Sequence, residues 1–206
     1  MRFPGYETAR IVDGVPEGWK IKSLSELVSF LRRGISPSYN EKGKLTVISQ
    51  KCIRTSIMDI SQARKQDKTY QEEMNIQDTD TVICSTGTGT LGRVGQVFGE
   101  YSNTTFDSHV TLVRPIQHRN MIYLAIKSQQ SYLMGMGRGS TNQQELYKYI
   151  IEGLPILIPA ESVAEQFESM ASAIHDKITL LNILENRCAE ARDRLLPRLM
   201  SGELEV

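Results

Sequence analysis

At 206 residues the chain is long enough for one good core with residues left over for an appendage. Hydrophobic residues at 40% and charged residues at 23% are ordinary for a globular domain, and no stretch approaches the roughly 20 apolar residues of a membrane span. Twenty-four basic and 24 acidic residues cancel, which sets the chain apart from the many autonomous DNA binders that are basic overall.

Residues 1–20 hold Pro4, Gly5, Gly14, Pro16 and Gly18 without an apolar period. They are expected to form an extended lead-in, anchored by Phe3, Tyr6 and Trp19. Arg2, Glu7, Arg10, Asp13, Glu17 and Lys20 interrupt any apolar run there, so no signal peptide is expected. Residues 21–160 form the second zone. Leu24, Leu27, Val28 and Leu31 recur at helical spacing behind Ser23 or Ser25 as a cap, which predicts a short helix stopped by Gly34. LTVIS (45–49), DTVICS (80–85) and HVTLV (109–113, closed by Pro115) read as strands, with RVGQVF (93–98) a weaker one. MIYLAIKSQQSYLMGMG (121–137) is more helical, and LPILIP (154–159) reads as a buried strand or connector. Strands and helices do not alternate regularly, so the expected class is α+β: a twisted mixed sheet with flanking helices.

The third zone, residues 161–206, opens on the clearest pattern. From Ser162 to Leu195 there is no Gly or Pro. One seam of heptads runs Phe167, Ile174, Leu181, Cys188, Leu195, and the other Val163, Met170, Lys177, Leu184, Ala191. A helix of that length spans roughly 50 Å, more than a small domain needs for its own core. A two-stranded coiled coil is expected, with Phe167, Met170, Ile174, Leu181, Leu184 and Cys188 meeting a partner helix; a helix lying along its own domain is the plainer alternative.

Charge is uneven along the neutral chain. Between residues 42 and 68, seven basic residues (Lys42, Lys44, Lys51, Arg54, Arg64, Lys65, Lys68) face two acidic ones (Asp59, Asp67), a local balance of +5. Such a patch suits phosphate contact shared with a partner, or is a solvated stretch. Gly87-Thr88-Gly89-Thr90-Leu91-Gly92 satisfies G-x-G-x-x-G after a predicted strand, but the glycine-broken RVGQVFG that follows cannot open the helix a dinucleotide site needs. The glycines are expected to shape a tight loop between two strands. Thr86, Thr88 and Arg93 in and beside it offer donors for phosphate or base edges. Arg138-Gly139-Ser140-Thr141-Asn142-Gln143-Gln144 is a second polar cluster. Arg reads guanine and Asn or Gln reads adenine, although Ser140 or Thr141 equally suits a helix cap. The candidate DNA contacts are therefore Lys51, Arg54, Thr86, Thr88, Arg93, Arg138, Asn142 and Gln143.

No P-loop lysine, G-x-S-x-G or H-E-x-x-H occurs, and His109, His118 and His175 are isolated. Cys52, Cys84 and Cys188 are odd in number with no CxxC pair, which disfavours a disulfide framework or zinc ribbon and fits a reducing cytoplasm. Cys84 reads as a buried small hydrophobe. No catalytic residue, bound cofactor or metal is expected on this chain.

Taken in order, the segments FPGYE…DGVPEGW (3–19), LSELVSFLRRGISPSY (24–39), VISQKCIR (47–54), DTVICSTGTGTLGRVG (80–95), FDSHVTLVRP (106–115), GSTNQQEL (139–146), LPILIPA (154–160) and RDRLLPRLMSGELEV (192–206) resemble the DNA specificity subunits of type I restriction–modification systems. The STGTGTLG stretch and the long helix with its tail are the most specific of these. The resemblance implies a target recognition domain that reads double-stranded DNA, and a helix that packs antiparallel on a second one. Modification (methyltransferase) subunits would supply S-adenosylmethionine chemistry, and a restriction subunit ATP- and Mg-dependent translocation and cleavage. A full subunit has two recognition domains and two long helices. This chain has one of each and departs from the family there: either it is a natural half-subunit that pairs with itself or with another half, or it is a fragment. Two other classes stay open: a fragment of a self-contained adenine-methyltransferase-type enzyme, and a coiled-coil scaffold without DNA contact.

Overall fold

The computed structural model describes residues 7–12, 14–139 and 144–203. In chain order the strands are β1 (Ile11–Val12), β2 (Val15–Pro16), β3 (Lys20–Ser23), β4 (Val28–Arg33), β5 (Leu45–Ile48), β6 (Arg64–Gln66), β7 (Thr81–Cys84), β8 (Val94–Gln96), β9 (Thr104–Phe106) and β10 (Val110–Pro115). Helices α1 (Arg119–Ser128), α2 (Gln130–Gly135) and α3 (Lys148–Glu152) follow, then strand β11 (Pro155–Ile158) and helix α4 (Glu161–Met200). The fold is α+β, as the irregular order of elements predicts.

A four-stranded antiparallel sheet, ordered β4-β10-β7-β8, divides the interior. Period-two alternation splits its side chains between two cores. Val82, Cys84, Val110 and Leu112 join Ile48, Ile53 and Phe106 on one face. Ile83 and Val113 join Ile122, Ile126, Leu133 and Ile151, from the three short helices, on the other. Burial on both faces explains why TVIC and VTLV read as unbroken apolar runs. The three-stranded sheet β6-β5-β9, parallel between β5 and β9, covers the first face. The lead-in is a small β1–β2 hairpin rather than an extended arm, and β3 pairs with β11. Phe3 and Tyr6 lie outside the described residues.

One predicted element is different in kind. The helix expected over Leu24–Leu31 is a single 3-10 turn, Leu24–Glu26, with a capping box between Ser23 and Glu26, followed by strand β4. The reason is a β-bulge. Arg114 pairs with Phe30 but Pro115 pairs with Val28, so Ser29 is the extra residue. Val28 and Leu31 therefore both reach the helix-side core, while Phe30 turns to the other. A bulged strand has produced an i, i+3 spacing that imitates a helix. Gly34 is correspondingly no helix stop: a Cβ there would lie 2.1 Å from the Phe106 carbonyl oxygen, so the glycine permits a close crossing of two backbones.

Helix α4 has 40 residues, about 60 Å at 1.5 Å per residue. Its first half docks on the domain through one stripe. Ala164 is buried. Glu168 accepts from the Asn120 and Met121 amides, each at 3.0 Å, and so caps the amino end of α1 from a different helix. His175, 3% exposed, stacks on Phe98 at 4.4 Å between ring centroids and bonds Asp78 at 2.8 Å. Beyond Thr179 no described residue of the helix is buried. Phe167, Met170, Ile174, Leu181 and Leu184 stay exposed on the neighbouring stripe. The helix thus lies along its own domain for about five turns, the plainer of the two expectations, and its heptad seam stays exposed.

Candidate nucleic-acid interface

Strand β7 ends at Cys84 and β8 begins at Val94, and the glycine motif is the loop between them. Gly87, Gly89 and Gly92 have φ of +98°, +77° and +78°, a region that strains other residues. The motif leads into a strand, which disposes of the dinucleotide fingerprint. At the base of the loop, Cys84 N donates to Arg93 O at 2.9 Å and Gly92 N to Cys84 O at 2.8 Å. Thr88 and Gly89 are exposed at its tip. Thr86 is 9% exposed, so it serves the loop from inside.

The two glycines differ in a way that stability measurements resolve. A Cβ on Gly92 would stand 2.5 Å from Met134 N and 2.7 Å from the Leu133 carbonyl carbon, whereas at Gly89 nothing lies within 4 Å. Gly89→Ala is expected to cost about 1–2 kcal/mol, the strain of a left-handed alanine. Gly92→Ala must also displace the backbone of α2 and is expected to cost at least about 2 kcal/mol more. Equal denaturant midpoints for the two variants would show that α2 does not pack on the loop as described.

The second polar cluster meets the first. Arg138 and Glu145 exchange both backbone hydrogen bonds, at 3.0 and 2.8 Å. Glu145 also bridges to Thr86, and Leu146 N donates to Ser85 O at 2.8 Å. The glycine loop and the Arg138–Glu145 bridge thus sit side by side at the same end of the central sheet. Arg138 is exposed at that junction and Arg93 is half-buried at the root of its own loop. Asn142, Gln143 and the possible caps Ser140 and Thr141 lie outside the described residues. Exposed Lys51 follows Gln50, whose side-chain amide reaches the Thr86 hydroxyl at 2.9 Å and the Thr86 carbonyl. Arg54 is exposed but stands apart: its segment turns away to pair with Gln96 on β8 through Ser56 and Met58.

All seven basic residues of the 42–68 stretch are exposed. Some are held in place, with the Arg64 guanidinium 3.7 Å above the Tyr39 ring and Lys65 Nζ 3.0 Å from Thr46 Oγ1.

Three residues of this region were not among the candidates. Arg33 donates to Ser85 O at 3.2 Å and pairs with Glu145 at 3.5 Å; Gln50 holds Thr86; and His109 Nδ1 lies 2.7 Å from Thr86 Oγ1. Each contact spans more than 20 positions, so no local pattern marks them.

Burial pushes the Cys84 thiol up to about 12 and Cys52 to about 11, so neither is a thiolate near neutrality. Among the described residues there is no group of three His, Cys, Asp or Glu side chains that could hold a metal, and no helix is long and apolar enough to cross a membrane.

The fold is an α+β domain, with the glycine loop and the Arg138–Glu145 bridge at one end of its central sheet, fixed to the first half of a long helix. The chain belongs to the type I restriction modification DNA specificity domain family, whose model matches residues 16–187. It is similar to the type I restriction enzyme HindI specificity subunit of Haemophilus influenzae, at 29% identity over 205 residues covering 92% of this chain and 42% of that protein. Its fold is similar to that of the type I restriction–modification S subunit from M. genitalium, with TM-score 0.58, 14% identity and coverage of 93% and 48% of the two chains. The HsdS subunit from Thermoanaerobacter tengcongensis matches with TM-score 0.53, 14% identity and coverage of 92% and 46%. The chain spans about half the length of these relatives.

Proposed function

We propose that the chain is a non-catalytic DNA specificity module that reads one half of a bipartite duplex site. Residues 21–160 are the reading domain and residues 161–206 the spacer and pairing helix. The observation that carries this reading is the adjacency of the 85–92 loop and the Arg138–Glu145 bridge, beside an exposed basic stretch. Thr88, Arg93, Arg138, Asn142 and Gln143 address base edges, Thr86 shapes the loop they share, and Lys51 and Arg54 address the backbone. A second copy, or another half-subunit, supplies the other half-site. Modification and restriction subunits supply S-adenosylmethionine, ATP and Mg chemistry, all in the cytoplasm. Family membership supports these roles, as does the bare seam of α4.

The test is selection from a random duplex library with the modification subunit present, followed by affinity measurements at physiological salt. A preferred half-site is expected. Arg93→Ala and Arg138→Ala should each reduce its advantage over scrambled DNA by about 5- to 100-fold, the 1–3 kcal/mol of a good base contact. S-adenosylmethionine binding by the isolated chain would instead favour a methyltransferase fragment. A dimer with no salt-dependent DNA binding would favour a scaffold.

A further inference from the structure

From the contacts of Thr86 we infer that His109 is a DNA-contacting residue, presenting a fixed N–H donor on Nε2 to an acceptor atom of the DNA. This rests on the DNA-reading role proposed above and assigns to it a residue that the sequence marks only as an isolated histidine.

The argument is one of counting protons. The Thr86 carbonyl can only accept, and the Gln50 side chain is bonded to it, so the amide nitrogen rather than the oxygen of Gln50 must face Thr86. That same nitrogen lies 2.9 Å from Thr86 Oγ1 and donates its other proton there. The Thr86 hydroxyl then has one proton of its own to place. Among the described residues the acceptor within reach is His109 Nδ1, at 2.7 Å. An imidazole that accepts at Nδ1 carries its neutral-state proton on Nε2. Nε2 has no hydrogen-bond partner among the described residues, and the His109 side chain is exposed.

The mount is rigid. Thr86 is 9% exposed and Gln50 pins it at both oxygens. The His109 backbone is tied on each side, with Ser85 N donating to His109 O at 2.8 Å and His109 N donating to Asp107 Oδ1 at 2.9 Å. The ring therefore stands beside the root of the glycine loop, at the end of the sheet where that loop meets the Arg138–Glu145 bridge. A single donor of fixed tautomer suits purine N7, guanine O6 or a phosphate oxygen.

The experiment uses the full chain, and the half-site that wild type selects. Nitrogen-edited NMR of the free protein near neutral pH should show the His109 proton on Nε2. Gln places an amide nitrogen where histidine has Nε2, and Asn where it has Nδ1. His109→Gln should accordingly stay within about threefold of wild-type affinity, while His109→Ala and His109→Asn lose tenfold or more. Thr86→Val, which keeps shape but frees the ring, should fall between, with its folding checked by circular dichroism. Loss confined to the selected site assigns the acceptor to a base edge; equal loss on scrambled DNA assigns it to a phosphate. An Nδ1-protonated ring, wild-type binding by His109→Ala, or equivalence of the Asn and Gln variants overturns the assignment alone. Failure of wild type to select any sequence removes the DNA-reading function and this residue's role together.

Discussion

Replacing Ile174 and Leu181 together by aspartate is expected to convert a self-associated protein into a monomer without unfolding it. Both side chains are exposed in the single chain, at 62% and 51%, so the substitutions cost the isolated domain little. In a helical pair the same positions are covered, and each aspartate puts a charge into the seam in place of an apolar side chain, a penalty of several kcal/mol. Two such sites on each of two copies raise the dissociation constant at least about 100-fold. The orientation of the pair follows from charge. Residues 161–176 hold Glu161, Glu165, Glu168 and Asp176 and no Lys or Arg; residues 187–198 hold four arginines against Glu190 and Asp193. Antiparallel pairing sets the acidic half of one helix against the basic half of the other, whereas parallel pairing sets acid on acid. The exposed apolar residues run from Phe167 to Met200, so an antiparallel pair is centred near residue 183. The two exposed Cys188 thiols then stand roughly 15 Å apart along the axis, too far for a disulfide. Sedimentation should therefore give a dimer for wild type and a monomer for the double variant, and mild oxidation should not cross-link wild type. A wild-type monomer at tens of micromolar would end the self-pairing proposal, and rapid cross-linking through Cys188 would reverse the orientation.

Asp80→Ala is expected to have the largest effect on stability, about 3–5 kcal/mol, or roughly a 10 °C fall in Tm for a chain of this size. Arg114 Nε and Nη2 reach the two Asp80 carboxylate oxygens at 2.8 and 2.7 Å, and the side chains are 9% and 0% exposed. Arg114 also donates to the Asn75 and Glu73 carbonyls at 2.8 and 3.2 Å. Burial holds the Asp80 carboxyl above its ordinary value even against the guanidinium, a sign of how little water reaches the pair. Removing the carboxylate strands a guanidinium between β10 and the start of β7. Asp80→Leu combined with Arg114→Met removes both charges and should recover part of the loss, though the two carbonyls then lack a donor. Thermal unfolding checks this: a single variant within 1 kcal/mol of wild type, or a double variant worse than the single, would mean that the pair is not the buried clasp described.

What could be read from the residues divides along sequence distance. The strands at 81–84 and 110–115 were plain because both their faces are apolar, and the 40-residue helix because its heptads persist. Local geometry was legible where glycine demands it, as in the loop at 87–92. Val28 and Leu31 misled because a bulge shifts register by one residue, and nothing in SELVSFLRR marks Ser29 as the residue left over. The docking of α4 was out of reach for another reason: Glu168 and His175 look like any solvated helix residues until Asn120, Asp78 and Phe98 are brought to them from 48, 97 and 77 positions away. The site divides the same way. Its two polar clusters stood out by composition, but their meeting depends on the bridge from Thr86 to Glu145, and Gln50, Arg33 and His109 gain their parts only from that meeting.

The cap that Glu168 places on α1 bears on how such proteins can be recombined. Three donors of α1, the Asn120 and Met121 amides and the Asn120 side chain, depend on a carboxylate that the chain supplies only after it has left the last strand. Cutting or grafting the protein at the β11–α4 junction would orphan all three and strip the cover from Phe98. The smallest portable cassette therefore ends after Thr179, inside the helix, and exchanging one reader for another while keeping a common stem requires the splice to fall in the solvent-exposed turns beyond it.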